Sequence, residues 1–305
     1  MIKKVLRGAG YAVAALGAVA LLAAAGGYAA SNRLLNRTYD TPRESVAMRR
    51  DSASVERGRH LATAISKCVE CHGDNLAGTV FLDEPSLARI VAKNLTRGRE
   101  GVGDSLTPAD IERAVRHGVG RDGRALLFMP SEDYWELSDE DVAAIAAYLE
   151  AIPPVDNVLP KTVVRPVGRA LLASNQVELA ANKILKLRRG RQGHTASVPA
   201  GPTAAYGRYL ADAGGCTGCH GPGLSGGPIP GAPADFKMPA NLTPEGIGRW
   251  TASDFRRALR EGRRPDGTQI DPQMPWRLTR LMSDEEIQAV YAYLRTVPPK
   301  PFGGR

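Results

Sequence analysis

Two stretches decide how this chain reads: Cys68-Val69-Glu70-Cys71-His72-Gly73 and Cys216-Thr217-Gly218-Cys219-His220-Gly221. Between them they hold all four cysteines of the 305 residues, so none is left over for a disulfide framework. A structural zinc site would place its two cysteine pairs about 15 to 20 residues apart. Here well over a hundred residues lie between the pairs. A thioredoxin-like redox pair would sit beside a strand-helix-strand pattern, which is absent.

Cys-x-x-Cys-His is instead the attachment signal for c-type haem. Two thiols at this spacing add across the two vinyl groups of one porphyrin, and the next residue, His72 or His220, is placed against the iron as proximal ligand. The expectation is two covalent haem c groups, held by Cys68 and Cys71 in one case and by Cys216 and Cys219 in the other.

Outward from the two motifs, the chain repeats one order of landmarks. Gly58-Arg59-His60-Leu61 precedes the first motif; Asn94-Leu95-Thr96, Arg121-Asp122-Gly123, Met129-Pro130 and Ser138-Asp139-Glu140-Asp141 follow, and the copy closes on Tyr148-Leu149. The second copy runs Gly207-Arg208-Tyr209-Leu210, the motif, Asn241-Leu242-Thr243, Pro265-Asp266-Gly267, Met274-Pro275, Ser283-Asp284-Glu285-Glu286 and Tyr293-Leu294. One order in two copies implies two units of one fold. Ser138 and Ser283 read as N-caps. The stripes Val142, Ile145, Ala146, Leu149 and Ile287, Val290, Tyr291, Leu294 predict amphipathic helices, which end at Pro153-Pro154 and Pro298-Pro299. The Gly- and Pro-rich stretch from Gly221 to Pro239 reads as loop.

The sixth iron ligand separates a carrier from a catalyst, because a saturated iron passes electrons while an open position invites peroxide or oxygen. Met129 and Met274 lie 61 and 58 residues past the first cysteine of their copies, each before a proline. Matched placement of a soft thioether in both copies makes them the candidate axial ligands, and His/Met ligation raises the reduction potential. Core filling is the alternative role for any methionine. Met238 is a rival in the second copy and His117 in the first, although His117 at a helix C-terminus also suits a plain surface position. His60 and His194 read as surface residues.

At the N-terminus, Lys3, Lys4 and Arg7 precede 23 uncharged residues, Gly8 to Ala30. That length spans a bilayer core as a helix, and positive charge ahead of it holds that end in the cytoplasm. The segment reads as an uncleaved signal anchor with the haem units on the far side of a bacterial cytoplasmic membrane. The alternative is a signal peptide cleaved near Ala23-Ala24-Ala25, leaving a soluble periplasmic protein.

Composition adds three constraints. Aromatic residues make up only 6% of the chain, thin for two cores unless a large prosthetic group fills part of each. The net charge is +8, which attracts acidic partners or anionic lipid. A nucleic-acid reading needs a recognisable module or a basic-aromatic stripe, and neither occurs. Residues 157 to 200 match neither copy and carry eight Lys and Arg against Glu178. They read as a solvated basic linker with a short helix from Arg169 to Leu187, or as a patch that docks an acidic partner or lipid.

On these motifs, both copies resemble class I-type cytochrome c domains, and the tandem resembles membrane-bound dihaem cytochromes that accept electrons from periplasmic dehydrogenases. The resemblance covers about 53 to 156 and 202 to 299. It implies an all-α fold of two tandem units with loop-rich haem pockets, divided as an anchor over 1–32, a first unit over 33–156, the linker over 157–200 and a second unit over 201–305. It implies that the first and last helices of each unit cross at Gly58 and Gly207, near Tyr148 and Tyr293. It also implies that the loop from Gly246 to Trp250 lies near the haem propionates, with Leu106 in the place of Trp250 in the first copy. The function implied is electron transfer between a periplasmic or membrane donor and an acceptor such as another cytochrome or a terminal oxidase. Alternatives are a dihaem peroxidase with one displaceable ligand and a dedicated cytochrome subunit of a dehydrogenase.

Overall fold

The structure, a computed structural model, describes residues 2–42, 46–188, 194–229, 232 and 235–304. It is mostly helical, with one small sheet. The chain opens on α1 (Ile2–Asn36). No part of its apolar window is buried inside the protein, as expected of a stretch with apolar residues on every face and no stripe to pack against a core.

The first unit begins with α2 (Ser52–His60), whose first turn is capped by Asp51 accepting from the Ser54 N–H at 2.8 Å. It continues into a π turn over Leu61–Ile65 that buries Leu61, Ala62, Ala64 and Ile65. Then come α3 (Val69–His72), the antiparallel strands β1 (Thr79–Glu84) and β2 (Ala88–Ala92), α4 (Pro108–His117), α5 (Ser131–Tyr134) and α6 (Asp139–Ala151). Thr107 and Asp110 form a reciprocal capping box at the start of α4, and Gly118 ends it in the left-handed conformation at φ 63°. Ser138 caps α6 as its sequence predicts, and Val142, Ile145 and Ala146 of the predicted stripe are buried. Where α2 crosses α6, a Cβ on Gly58 would collide with the Ala144 carbonyl and stand 2.8 Å from Tyr148 Cβ. Only glycine permits this approach.

Residues 157 to 200 depart from the solvated linker expected of them. β3 (Val163–Val164) adds to β2, giving a three-stranded sheet in the order β1-β2-β3. The single helix expected over 169–187 is two, α7 (Pro166–Ala173) and α8 (Ala180–Leu187), broken where Asn175 takes φ 57°. Leu172, Leu179, Ala180, Ala181 and Ile184 are buried, so a narrow apolar stripe between the cations holds the segment down. Three of the cations are paired: Arg165 with Asp83 at 2.7 Å, Lys183 with Glu132 at 2.5 Å and Lys186 with Glu178 at 2.6 Å. Arg169 donates to Ser31 at 3.2 Å and covers the Tyr28 ring, bracing the end of α1. Arg189 and Arg191 lie outside the described residues.

The second unit repeats the first: α9 (Ala204–Ala213), α10 (Cys216–His220), α11 (Pro244–Ile247), α12 (Ala252–Glu261), α13 (Trp276–Thr279) and α14 (Asp284–Leu294). Capping boxes open α12 and α14, and Gly262 ends α12 at φ 66°. Gly207 meets the Ala289 carbonyl where α9 crosses α14, with a Cβ position 2.8 Å from Val290 N. Here the near backbone is Ala289 and Val290 rather than Tyr293.

The units also bind one another. Tyr209 of α9 donates to Asp141 of α6 at 2.6 Å and accepts from the Ser138 N–H at 3.1 Å. Arg57 of α2, held by Asp141 of its own unit at 2.8 and 2.9 Å, reaches Glu286 of α14 at 3.5 Å, and His60 lies 2.8 Å from Glu286. Lys67 donates to the Gly214 carbonyl at 2.7 Å.

Candidate functional site

Each Cys-x-x-Cys-His run forms a short helix, α3 or α10, leaving through a glycine that no other residue could replace without strain: Gly73 at φ 79°, ψ 161° and Gly221 at φ 81°, ψ 161°. From there the two copies share the bonds that follow. Gly78 N–H donates to the His72 carbonyl at 2.7 Å, and Gly226 N–H to the His220 carbonyl at 2.9 Å. Leu76 and Leu224 take the left-handed conformation at φ 58° and 57°. The Asn-Leu-Thr landmark is a clamp: Asn94 and Asn241 each accept from the threonine two residues on at 2.9 Å. Each also donates to a carbonyl at the end of its unit, Val155 at 2.8 Å or Lys300 at 2.7 Å. The clamp fixes the backbone just before it against both histidines.

That backbone sets the chemistry of the imidazoles. His72 Nδ1 lies 2.8 Å from the Lys93 carbonyl and His220 Nδ1 2.7 Å from the Ala240 carbonyl. A carbonyl only accepts, so each Nδ1 carries the proton and each Nε2 carries the lone pair a metal requires. Burial also lowers the pKa of His72, against the opposing pull of the Lys93 carbonyl, keeping the ring neutral and able to ligate.

None of the four cysteines is in a disulfide. Burial pushes the thiols of Cys68 and Cys71 up to about 11, and the Cys216 thiol upward too. Conversion of these buried thiols to thioethers removes the ionisation that burial opposes. Paired uncharged sulfurs beside a tautomer-fixed imidazole fit covalent haem in both units.

Met129 and Met274 are half-buried and share one local frame. Ser131 N–H donates to the Met129 carbonyl at 2.9 Å and Trp276 N–H to the Met274 carbonyl at 2.7 Å, each opening the short helix α5 or α13. Met238, the rival in the second copy, is 62% exposed and has no such frame. Leu106 and Trp250, expected at matching places, both pack partly against the main core, and the Trp250 carbonyl accepts from the Tyr291 hydroxyl at 2.7 Å.

Three histidines differ from the surface positions expected of them. His60 is the half-buried partner of Glu286. His117 is buried against Glu112, with Nε2 3.2 Å from a carboxylate oxygen. His194 stacks edge-on to Trp135 at 4.5 Å; burial, reinforced by Arg116, pushes its imidazole down to about 4. Helix-end position suggested a solvated His117, but α8 and the 194–196 segment cover that end of α4.

Asp133, which the sequence did not single out, stands between the units. It projects from α5, just after Met129-Pro130, and a Cβ on Gly215 or Gly218 would come within 3.0 or 3.6 Å of its Oδ2. Burial, then the neighbouring Glu132, raises its carboxyl to about 7. Leu278, at the equivalent helix α13, packs in the cluster that holds Cys68. Each unit thus lays the helix after its Met-Pro pair beside the other unit's cysteine motif.

Comparison with known proteins agrees with this duplication. Residues 53–149 match the family model described as cytochrome c oxidase, cbb3-type, subunit III, and residues 204–298 match the one described as cytochrome c. The chain is 30% identical over 291 residues to the fructose dehydrogenase cytochrome subunit of Gluconobacter japonicus, covering 87% of this chain and 57% of that one. It is 31% identical over 285 residues to the gluconate 2-dehydrogenase cytochrome c subunit of Pantoea cypripedii, covering 82% and 61%. A diheme cytochrome c-type protein of Cereibacter sphaeroides matches at 29% over 208 residues, covering 63% and 66%. The chain therefore spans less than two thirds of the length of the dehydrogenase subunits it matches. Two haem motifs in two matching hydrogen-bond frames, each within a cytochrome family match, make this chain a dihaem c-type cytochrome with two covalent haems.

Proposed function

We propose that the chain receives electrons from a membrane-associated dehydrogenase and passes them through its two haems to another cytochrome or a terminal oxidase. Haem, when bound, supplies a one-electron ferric/ferrous couple; the protein's part is to hold, orient and tune it. In this reading Cys68 and Cys71 tether one haem and Cys216 and Cys219 the other. His72 and His220 are the proximal ligands and Met129 and Met274 the distal ones, within haem-carrying units over about 33–156 and 201–305. The observation that carries the assignment is the matched pair of carbonyls that give His72 and His220 the same tautomer. The dehydrogenase partner rests on the names of the relatives above.

The placement we propose is a single-pass anchor in the cytoplasmic membrane, with both haem units facing the periplasm. Its support is the helix segment Leu6–Asn36, whose 18-residue apolar window has mean hydropathy 1.9 and is unburied in the protein, with Lys3, Lys4 and Arg7 ahead of the uncharged stretch. An apolar surface of that size in water calls for a lipid or protein cover.

A redox titration of the purified chain, followed by visible absorption, tests the reading. Two low-spin haems are expected, with Met129→Ala and Met274→Ala each converting one of them to a form that binds cyanide. A native high-spin ferric haem that shifts on adding peroxide would point instead to a peroxidase. Mass spectrometry without added tetrapyrrole mass at either motif would dismiss the attachment sites.

A further inference from the structure

Away from both haem motifs, three side chains converge at the junction between the first unit and the segment leading to the second. Glu112 and His117 project from α4, and His194 comes from the irregular segment that leads to α9. One ligand atom from each lies within 4.8 Å of the other two. Glu112 is 0% exposed and His117 1%. Among the described residues, neither carboxylate oxygen of Glu112 and neither ring nitrogen of His117 has a hydrogen-bond partner. Four buried polar atoms without a hydrogen-bond partner among the described residues are costly and call for a ligand.

An imidazolium-carboxylate pair is the simplest alternative, and its geometry is wrong. His117 Nε2 and Glu112 Oε1 are 3.2 Å apart yet not aligned for an N–H to point at the oxygen. A separation of about 3.4 Å without alignment is what two ligands have when both point at one tetrahedral cation some 2.05 Å from each. The nearby Arg116 does not fill the place. Its guanidinium donates to the Leu137 carbonyl at 3.0 and 2.7 Å and to Asp139 at 2.7 Å, and stands 3.6 Å from Glu112. Arg116 thus shares its charge between Asp139 and Glu112, and the Glu112 oxygens remain without a hydrogen bond.

We infer that Glu112, His117 and His194 form a third metal site, for a divalent transition cation of the zinc class, separate from both haem irons. Two imidazoles and one carboxylate are a recurrent zinc donor set, with water or a small anion completing the tetrahedron. His194 is held in range because the carbonyls of Thr195 and Ala196 accept from the N–H groups of Asp139 and Glu140, each at 3.0 Å. Its ring also lines the groove between the units with Trp135, Arg208 and Tyr209, which provides an entry path. Rotation of this half-buried ring closes the remaining gap. The bound cation would clamp the segment entering the second unit onto the first.

The test uses the full haem-loaded chain, stripped with a chelator and refilled with Zn²⁺ alone. One zinc per two irons is expected after dialysis. His194→Ala should bind at least about 100-fold more weakly, beyond the loss usual for a supporting residue, with the haem absorption unchanged as the check on folding. His194→Cys should restore binding and add one sulfur at about 2.3 Å to a zinc shell otherwise of nitrogen and oxygen, read by X-ray absorption at the zinc edge. Zinc well below one equivalent in the native chain, or zinc unaffected by His194→Ala, would overturn the site; the second result would place the metal elsewhere, His60 and Glu286 being the next candidates.

Discussion

Lys93 and Ala240 give the haem motifs nothing but a carbonyl oxygen each, yet those two oxygens decide which nitrogen of His72 and His220 can ligate. The cysteines and histidines were plain in the sequence because covalent attachment requires a fixed spacing. The carbonyls were not, since any residue supplies one. The landmark beside them was visible, for Asn94 and Asn241 directly follow them. Asp133 was hidden for another reason: its environment comes from the other unit. With its carboxyl raised to about 7, Asp133 is protonated in acid and charged above neutrality. A folded-state value above the ordinary value of about 4 means that stability is full below that pH and is lost as pH rises through about 7. The same new negative charge favours ferric iron beside it, so the potential of the haem at Cys216–His220 should fall as pH rises across this range. Potentiometry of Asp133→Asn checks this, and an unchanged pH dependence there would assign the titration to another group.

At the scale of elements, the repeat was legible and its exceptions were not. Capped helices, their stripes and the crossing glycines follow from local chemistry that both copies share. Gly58→Ala and Gly207→Ala should each cost about 1 to 3 kcal/mol through overpacking at the crossings. Ser283→Ala should cost about 1 kcal/mol through loss of the cap. Thermal melts of the haem-loaded variants measure both, and a loss well below about 1 kcal/mol at either glycine would contradict the close backbone approach. The hairpin of β1 and β2 escaped the repeat because the second unit puts Gly- and Pro-rich chain there, of which residues 230, 231, 233 and 234 lie outside the described set. The segment 157–200 was misjudged from its charge. Among the described residues, Lys183 and Lys186 project from a helix whose buried apolar residues, with its cap, are few but close together: Leu179, Ala180, Ala181 and Ile184.

For the whole molecule, the aromatic shortage observed in the sequence has a structural counterpart, since small residues such as Ala62, Ala64, Ala143, Ala144 and Ala289 do much of the packing. Cores this light depend on the haem plates, and a chain whose four cysteines are changed to serine is expected to lose its helical circular dichroism. The two units should also unfold together, tied by Tyr209, Asp141, Arg57 and Glu286. Tyr209→Phe removes the hydrogen bond and leaves Asp141 with Arg57; calorimetry should then show the single transition broaden or split, while a sharp unchanged transition would mean that this contact does not couple them.

The braced end of α1 has one further outcome under the proposed membrane placement. Its uncharged stretch rises about 34 Å, enough to cross the hydrocarbon. Only a short length from Ser31 to Asn36 then emerges, and it is already fastened by Arg169, with Arg124 donating to Asn36 at 3.3 Å. There is no slack in such a mount. The globular part would ride flush with the lipid headgroups at a fixed tilt, and encounter with a membrane-bound donor would become a lateral search across a surface instead of a collision in three dimensions.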